Sequence, residues 1–319
     1  MKINCFLLAL LFQITSCNSG ENQEPVLEFP EFVNGTLSFQ SNQRKYILHI
    51  PDSYDGRTAV PLVVFLHGGG GNAQTAQGFT NFNAVSKENG FLMVYPQAFF
   101  EAGTDSYAWA DGRGLAPDKL GIDDVGFIDA LVTELKRQYK IDNQRVYLCG
   151  FSNGSFLTQR IAFLKNSQFA AIGTLGGTMN ESLFNAGKPG RAIPMVYVFG
   201  TADPLVPVDG GYVSGNTSLE PVKSVDDAVA FWKNNNNCKT ALAKEDAPNT
   251  NTTDNTRVEI YQYTNCNCNA DVKFYKVIDG GHTWPGVKLI TPNSFGETNL
   301  DISASVELWN FFKQHQLCN

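Results

Sequence analysis

Three residues of this chain have types and spacing suited to acyl transfer: Ser152, Asp203 and His282. A serine hydroxyl is a poor nucleophile near neutral pH. It needs a base within hydrogen-bond reach, and the base needs an orienting carboxylate. Ser152 stands at the centre of Gly150-Phe151-Ser152-Asn153-Gly154. The apolar run Val146–Cys149 before it reads as a buried strand, and Ser155–Leu164 after it reads as a helix. That order presents a serine on a strained strand-to-helix turn, with glycines that let the two elements pass closely.

The base and the acid are chosen by their loops. His282 lies in Gly280-Gly281-His282-Thr283-Trp284-Pro285-Gly286, directly after the predicted strand Val272–Ile278. The other three histidines sit elsewhere: His49 within an early strand, His67 before a glycine run and His315 on the last helix. Asp203 leaves the apolar run Met195–Phe199 through Gly200-Thr201-Ala202. Asp209 is further from that strand end, and Asp226 and Asp227 read as helix-start residues. The order Ser, acid, His, each just beyond a strand, would gather all three at one edge of a parallel sheet.

A tetrahedral oxyanion needs preorganised N–H donors. The backbone N–H of Asn153 is one candidate. The other comes from His67-Gly68-Gly69-Gly70-Gly71, with Gly69 preferred and Gly70 second. No Lys-Ser/Thr follows that run, which argues against a nucleotide-phosphate loop. Tyr107, Trp109 and Trp284 are candidate substrate-lining residues, with a packing role as the alternative for the tryptophans. Cys266-x-Cys268 lacks a second ligand pair nearby, so neither metal nor organic cofactor is expected.

The surrounding elements are strands alternating with helices. Gly35–Gln40 and Lys45–Ile50 read as an opening hairpin, and Leu62–Leu66, Phe91–Tyr95 and Ala170–Leu175 as strands buried on both faces. Helices are expected over Ala76–Glu88, from Asp123-Asp124 onward, over Val222–Lys233 and over Ile302–His315. Gln97–Asp123 is a long glycine-rich stretch of the kind usually tied to function. Asn234–Asn255 reads as a polar surface insertion. The expected architecture is α/β, a mostly parallel central sheet with helices on both faces.

The net charge of −7 over 319 residues argues against a nucleic-acid surface, and a 43% hydrophobic composition allows a large core. Met1-Lys2 followed by a short apolar run and Ile14-Thr15-Ser16-Cys17 resembles a bacterial lipobox, with Cys17 the lipidated residue. The expected organisation is a signal peptide over 1–17, a polar tether over 18–33 and one catalytic domain over 34–319. The protein is expected to be exported and monomeric, touching membrane only through its lipid anchor. Export favours disulfides. Cys238 with Cys266 is the preferred bridge, Cys268 with Cys318 a weaker one, and Cys149 reads as a small core residue.

Five blocks, LHGGGG, DDVGFIDALV, RVYLCGFSNGS, GTADPLVPVDGG and GGHTWPG, together resemble the polyhydroxybutyrate depolymerase and feruloyl-esterase group of α/β-hydrolases. The resemblance implies an α/β-hydrolase fold and a secreted esterase whose Ser-Asp-His triad falls on Ser152, Asp203 and His282. It implies ester substrates: feruloyl or acetyl groups on plant polysaccharide, or short hydroxyacid polyesters. Ser155 stands where a glycine is more usual after the turn, and no separate polymer-binding module is apparent. A peptidase on the same fold and a non-catalytic glycan-binding protein are the competing readings.

Overall fold

Runs of apolar residues without alternation become the centre of a sheet, because a strand covered on both faces has no solvent side. The computed structural model describes residues 27–288 and 293–318. Its strands in chain order are β1 (Phe32–Phe39), β2 (Asn42–His49), β3 (Val60–Leu66), β4 (Leu92–Pro96), β5 (Phe99–Glu101), β6 (Ser106–Ala108), β7 (Ile141–Phe151), β8 (Ala171–Leu175), β9 (Met195–Gly200), β10 (Thr240–Ala241), β11 (Glu245–Asp246), β12 (Arg257–Thr264) and β13 (Val272–Ile278). The helices are α1 (Ala73–Phe79), α2 (Phe82–Asn89), α3 (Ala116–Lys119), α4 (Asp124–Gln138), α5 (Asn153–Leu164), α6 (Glu181–Asn185), α7 (Val225–Asn235) and α8 (Ala304–Phe312).

The main sheet runs β1-β2-β4-β3-β7-β8-β9-β13-β12-β10, with β11 also on β12. From β4 to β13 the pairings are parallel, and the antiparallel pairs lie at the two ends. Alternation along each strand divides two cores. Leu62, Val64, Leu148, Tyr197 and Phe274 pack on the face covered by α4, α5 and α7. Val63, Phe65, Cys149, Val198 and Tyr275 pack on the other, with residues of α1, α2 and α8. The α/β expectation is met.

Three expectations are revised. The single helix over Ala76–Glu88 is two, α1 and α2, because Asn81 takes a left-handed conformation (φ 56°) between them. The Gln97–Asp123 stretch is built: β5 and β6 form a hairpin, and Arg44 pairs with the buried Asp124 at 2.6 Å while Asp124 also accepts Ala110 N–H at 2.7 Å. Asp123 alone caps α4, accepting Gly126 N–H at 2.7 Å. The Asn234–Asn255 insertion adds β10 and β11 to the edge of the sheet.

The turn after β7 is held by steric necessity. Ser152 has φ 53° and ψ −120°, a backbone state that costs free energy unless its surroundings enforce it. A methyl group at Gly150 would lie 2.4 Å from the Gly154 carbonyl carbon, and one at Gly154 would lie 2.1 Å from Leu66 O. Strand, turn and helix therefore approach as closely as glycine permits. Ser155, where glycine is more usual, does not shape a pocket. It is fully buried, its hydroxyl 2.7 Å from Gly150 O and 2.8 Å from Leu175 O while accepting Leu175 N–H at 2.7 Å. It staples α5 to β7 and β8.

Two disulfides close the far end of the sheet. Cys238–Cys266 links the segment after α7 to the segment after β12, and Cys268–Cys318 ties the next loop to the C-terminal segment. Cys149 is free and buried on β7.

Two predictions follow from buried polar groups. Ser155→Ala leaves Leu175 N–H without its acceptor and should cost about 1–3 kcal/mol, read as a lowered urea midpoint; an unchanged midpoint would refute the staple. Burial also lowers the pKa of both His67 and His315 from the ordinary 6.5 to about 4. The unfolded chain then binds protons that the folded one refuses between those values. Stability is full above pH 6.5 and should fall as pH drops toward 4, by up to about 3 kcal/mol for each ring. Urea titrations at pH 7 and 4.5 check this. The difference should shrink in His315→Gln, and an identical pH dependence in that variant would count against it.

Candidate active site

The acid and base candidates meet directly. His282 Nδ1–H donates to Asp203 Oδ2 at 2.6 Å, both side chains being almost wholly buried. Asp203 Oδ1 accepts the backbone N–H groups of Leu205 and Val206, each at 2.8 Å. Three bonds thus hold one carboxylate and define which imidazole nitrogen carries the proton toward it, leaving Nε2 for other work. Asp209, the competing acid, is exposed.

The loops that carry this pair are pressed together by glycine. A methyl at Gly200 would lie 2.3 Å from Gly280 O, and Ala202 N–H donates to that same oxygen at 2.9 Å. His282 N–H donates to Phe295 O at 2.6 Å, and Gly281 N–H to Glu297 O at 2.8 Å. Its ring stands 4.8 Å from that of Phe151, the residue before Ser152. Ser152 N–H donates to Leu175 O at 2.9 Å, and a methyl on the adjacent Gly176 would lie 3.1 Å from the His282 ring. The serine turn, the β8 end and the imidazole therefore occupy one corner at the C-terminal edge of the sheet.

Across the serine lies the glycine run after β3. A methyl at Gly68 would be 3.3 Å from Ser152 Cβ, and one at Gly69 would be 3.6 Å from Asn153 Cβ. Gly70 N–H is committed to Tyr107 O at 2.9 Å and Gly71 N–H to Gly68 O at 3.1 Å. That removes Gly70, the second-choice donor, from contention. His67 fixes the loop as a neutral ring. Nδ1–H donates to Gly68 O at 2.8 Å, and Nε2 accepts Ala98 N–H at 3.2 Å. Its burial, which lowers its pKa, suits this role and not that of a second base.

The two tryptophans expected to line the substrate pocket do not reach it. Trp109 and Trp284 are both fully buried. Trp109 is a strut: its Nε1–H donates to His67 O at 2.8 Å, and its backbone N–H donates to Asn153 Oδ1 at 2.8 Å. Asn153 Nδ2 in turn donates to Asp111 Oδ2 at 2.6 Å, and Asp111 binds Arg113 through two guanidinium nitrogens. Trp284 packs edge-on against Phe65 and Phe79 and donates to Ser305 Oγ at 3.1 Å. Indoles are large enough to be drawn into the nearest core when an internal acceptor exists. Tyr107 remains half-buried on β6, its ring against the exposed Phe100. The Asp111–Asn153–Trp109 network lacked a sequence signal beyond the length of the glycine-rich stretch. Cys17 lies outside the described residues. Among the described residues no cluster of three or more His, Cys, Asp or Glu could hold a metal ion, and no helix is long and apolar enough to cross a membrane.

Known proteins resemble this chain in both sequence and shape. The family model described as Esterase PHB depolymerase matches residues 45–209, more than half of the chain, a span that includes Ser152 and Asp203 and stops before His282. Feruloyl esterase C of Emericella nidulans is 28% identical over 200 residues, 62% of this chain and 68% of that protein. The bifunctional acetylxylan esterase/xylanase XynS20E of Neocallimastix patriciarum is 30% identical over 146 residues, 46% of this chain but only 20% of that protein. Acetyl xylan esterase from Aspergillus awamori superposes with a TM-score of 0.53 at 15% identity, covering 77% of this chain and 93% of that one. The chain therefore belongs to the Esterase PHB depolymerase family and is a serine carboxylic-ester hydrolase of α/β-hydrolase fold.

Proposed function

We propose that Ser152, Asp203 and His282 are the catalytic triad of this esterase, acting through an acyl-enzyme. The observation that carries the reading is the 2.6 Å bond from His282 Nδ1 to a threefold-held Asp203, beside a serine with φ 53° at the C-terminal edge of the sheet. His282 Nε2 would take the Ser152 proton as Oγ attacks the ester carbonyl. The oxyanion would rest on the N–H groups of Asn153 and Gly69. Collapse would expel the alcohol, protonated by His282. Water, deprotonated by the same ring, would then release the acid and restore Ser152.

The substrates proposed are feruloyl or acetyl esters of plant polysaccharide, supported by the feruloyl and acetylxylan esterases among the relatives. The description of the family model favours a second reading, short hydroxybutyrate oligomers. Tyr107, with its edge contact to Phe100 on the hairpin bonded to Gly70, is the aromatic proposed to border the substrate. The protein is further proposed to be exported as a monomer anchored by lipid at Cys17; the tether is shorter than the expected 18–33, because β1 starts at Phe32 and Phe29 already packs against Tyr54. Two disulfides support an oxidising compartment.

Ser152→Ala should lower kcat on p-nitrophenyl acetate by roughly 10⁴-fold or more; equal turnover by the variant and the wild type would overturn the assignment. Asp203→Ala should be severely impaired and Asp209→Ala close to wild type, with the opposite pattern moving the acid to Asp209. A panel of methyl ferulate, acetylated xylan and hydroxybutyrate oligomers, each with the Ser152→Ala control, decides the substrate; preference for the oligomers establishes the second reading. Cys17→Ser should release the protein from the membrane fraction, and retention there would remove the anchor.

A further inference from the structure

Between α7 and the β12–β13 part of the sheet lies a cleft of about 280 Å³ that runs along β13, from Lys276 near its C-terminal end to Tyr263 beside its start. That size approaches the lower range of small-molecule sites. Tyr261 and Tyr263 line it, two residues apart on β12 and therefore on one face of the strand. Both rings are half-buried. Phe274, buried and directly opposite Tyr261 in the β12–β13 register, stacks 6.1 Å from that ring at 27° and holds its orientation. The Tyr261 hydroxyl donates to Glu259 Oε2 at 2.8 Å, which fixes the other end.

The charges around these rings are unbalanced. Lys233 Nζ stands 5.2 Å from the Tyr263 ring centre, and among the described residues it pairs with no carboxylate. Lys276 faces Asp226 at 3.9 Å across the same cleft. Two ammonium groups and one carboxylate thus line the cleft, while Glu259, on the Tyr261 hydroxyl, is paired with Lys244 at 3.2 Å. Rigid tyrosine faces suit the C–H side of a sugar ring while their hydroxyls keep polar partners. An ammonium without a carboxylate suits an anionic substituent.

We propose that this cleft is a second, non-catalytic saccharide site that takes a sugar unit bearing a carboxylate. The sugar would lie on Tyr261 and Tyr263, with its carboxylate on Lys233. Tyr263 pairs with Val272, six residues before the end of β13, which places it about 20 Å along the strand from the His282 loop. A polymer could occupy the cleft while an ester at another position reaches Ser152. The inference stands on residues that the catalytic reading does not use.

Calorimetric titration of the intact protein tests it, with a xylo-oligosaccharide carrying glucuronic acid, its neutral counterpart and free ferulate as probes. The acidic oligosaccharide should bind about 10-fold more tightly than the neutral one, the scale of one charge-assisted hydrogen bond. Tyr261→Ala and Tyr263→Ala should abolish binding of both, and Lys233→Gln should equalise them. All three variants should keep wild-type turnover of p-nitrophenyl acetate, which separates lost binding from lost folding; the tyrosine variants, which lose ring packing against the core, should melt below the wild type and Lys233→Gln close to it. Absence of binding by either oligosaccharide, unchanged binding in the tyrosine variants, an undiminished acid preference in Lys233→Gln, or binding of ferulate alone would each overturn the proposal. Should the wild type hydrolyse no ester, the catalytic reading fails while the titration still decides the cleft.

Discussion

The site depends on one close approach. Gly154, in the first turn of α5, lies against the backbone of Leu66 and His67, so near that a methyl group would overlap Leu66 O. This contact sets β7 and its turn against the loop that follows β3. It brings Ser152 beside Gly68 and Asn153 beside Gly69. Any larger residue would part the serine from the glycine run. The positive φ of Ser152 is the backbone cost of the same arrangement, offset by a neighbourhood that leaves the turn no alternative.

Around that contact the structure adds buried polar supports instead of bulk. Ser155 replaces a customary glycine with a hydroxyl that joins β7 and β8 from inside the helix. Trp109 bridges His67 and Asn153, joining the glycine run to the serine turn. The neutral His67 ring holds the glycine run from beneath. Such groups are costly to bury unless every partner is present, so the loops between strands and helices have little freedom to drift. The site is rigid where charge is proposed to develop, and the exposed Phe100 and half-buried Tyr107 lie on the hairpin at its border.

The sheet also separates tasks by direction. Parallel strands send their C-terminal ends to one edge, so Ser152 after β7, Asp203 after β9 and His282 after β13 converge there. The antiparallel strands added beyond β13 widen the sheet past its last parallel strand. The disulfides lie in this extension, where two-residue strands and polar turns supply little core of their own. The cleft of Tyr261 and Tyr263 belongs to the same extension.

Much of this was already determined by the sequence. Apolar runs bounded by glycine and proline mark the central strands, and the chain order serine, acid, histidine favours His282 as the proposed base over His67, which also opens a glycine run after a strand. Local signals failed where a residue's role is set by distant neighbours. Trp284 and Trp109 read as pocket residues because they flank the motifs, yet aromatic packing and internal acceptors drew them into the core. Asp123-Asp124 read as one helix start, but Arg44, eighty residues before Asp124, took that carboxylate inside. Gly70 stayed the second choice after Gly69 until Tyr107 claimed the Gly70 amide. The choice of residue types for ester chemistry is thus a local matter of hydroxyl, imidazole, carboxylate and glycine, while the assignment of each N–H and each ring to site or scaffold was decided only by the tertiary contacts that compete for it.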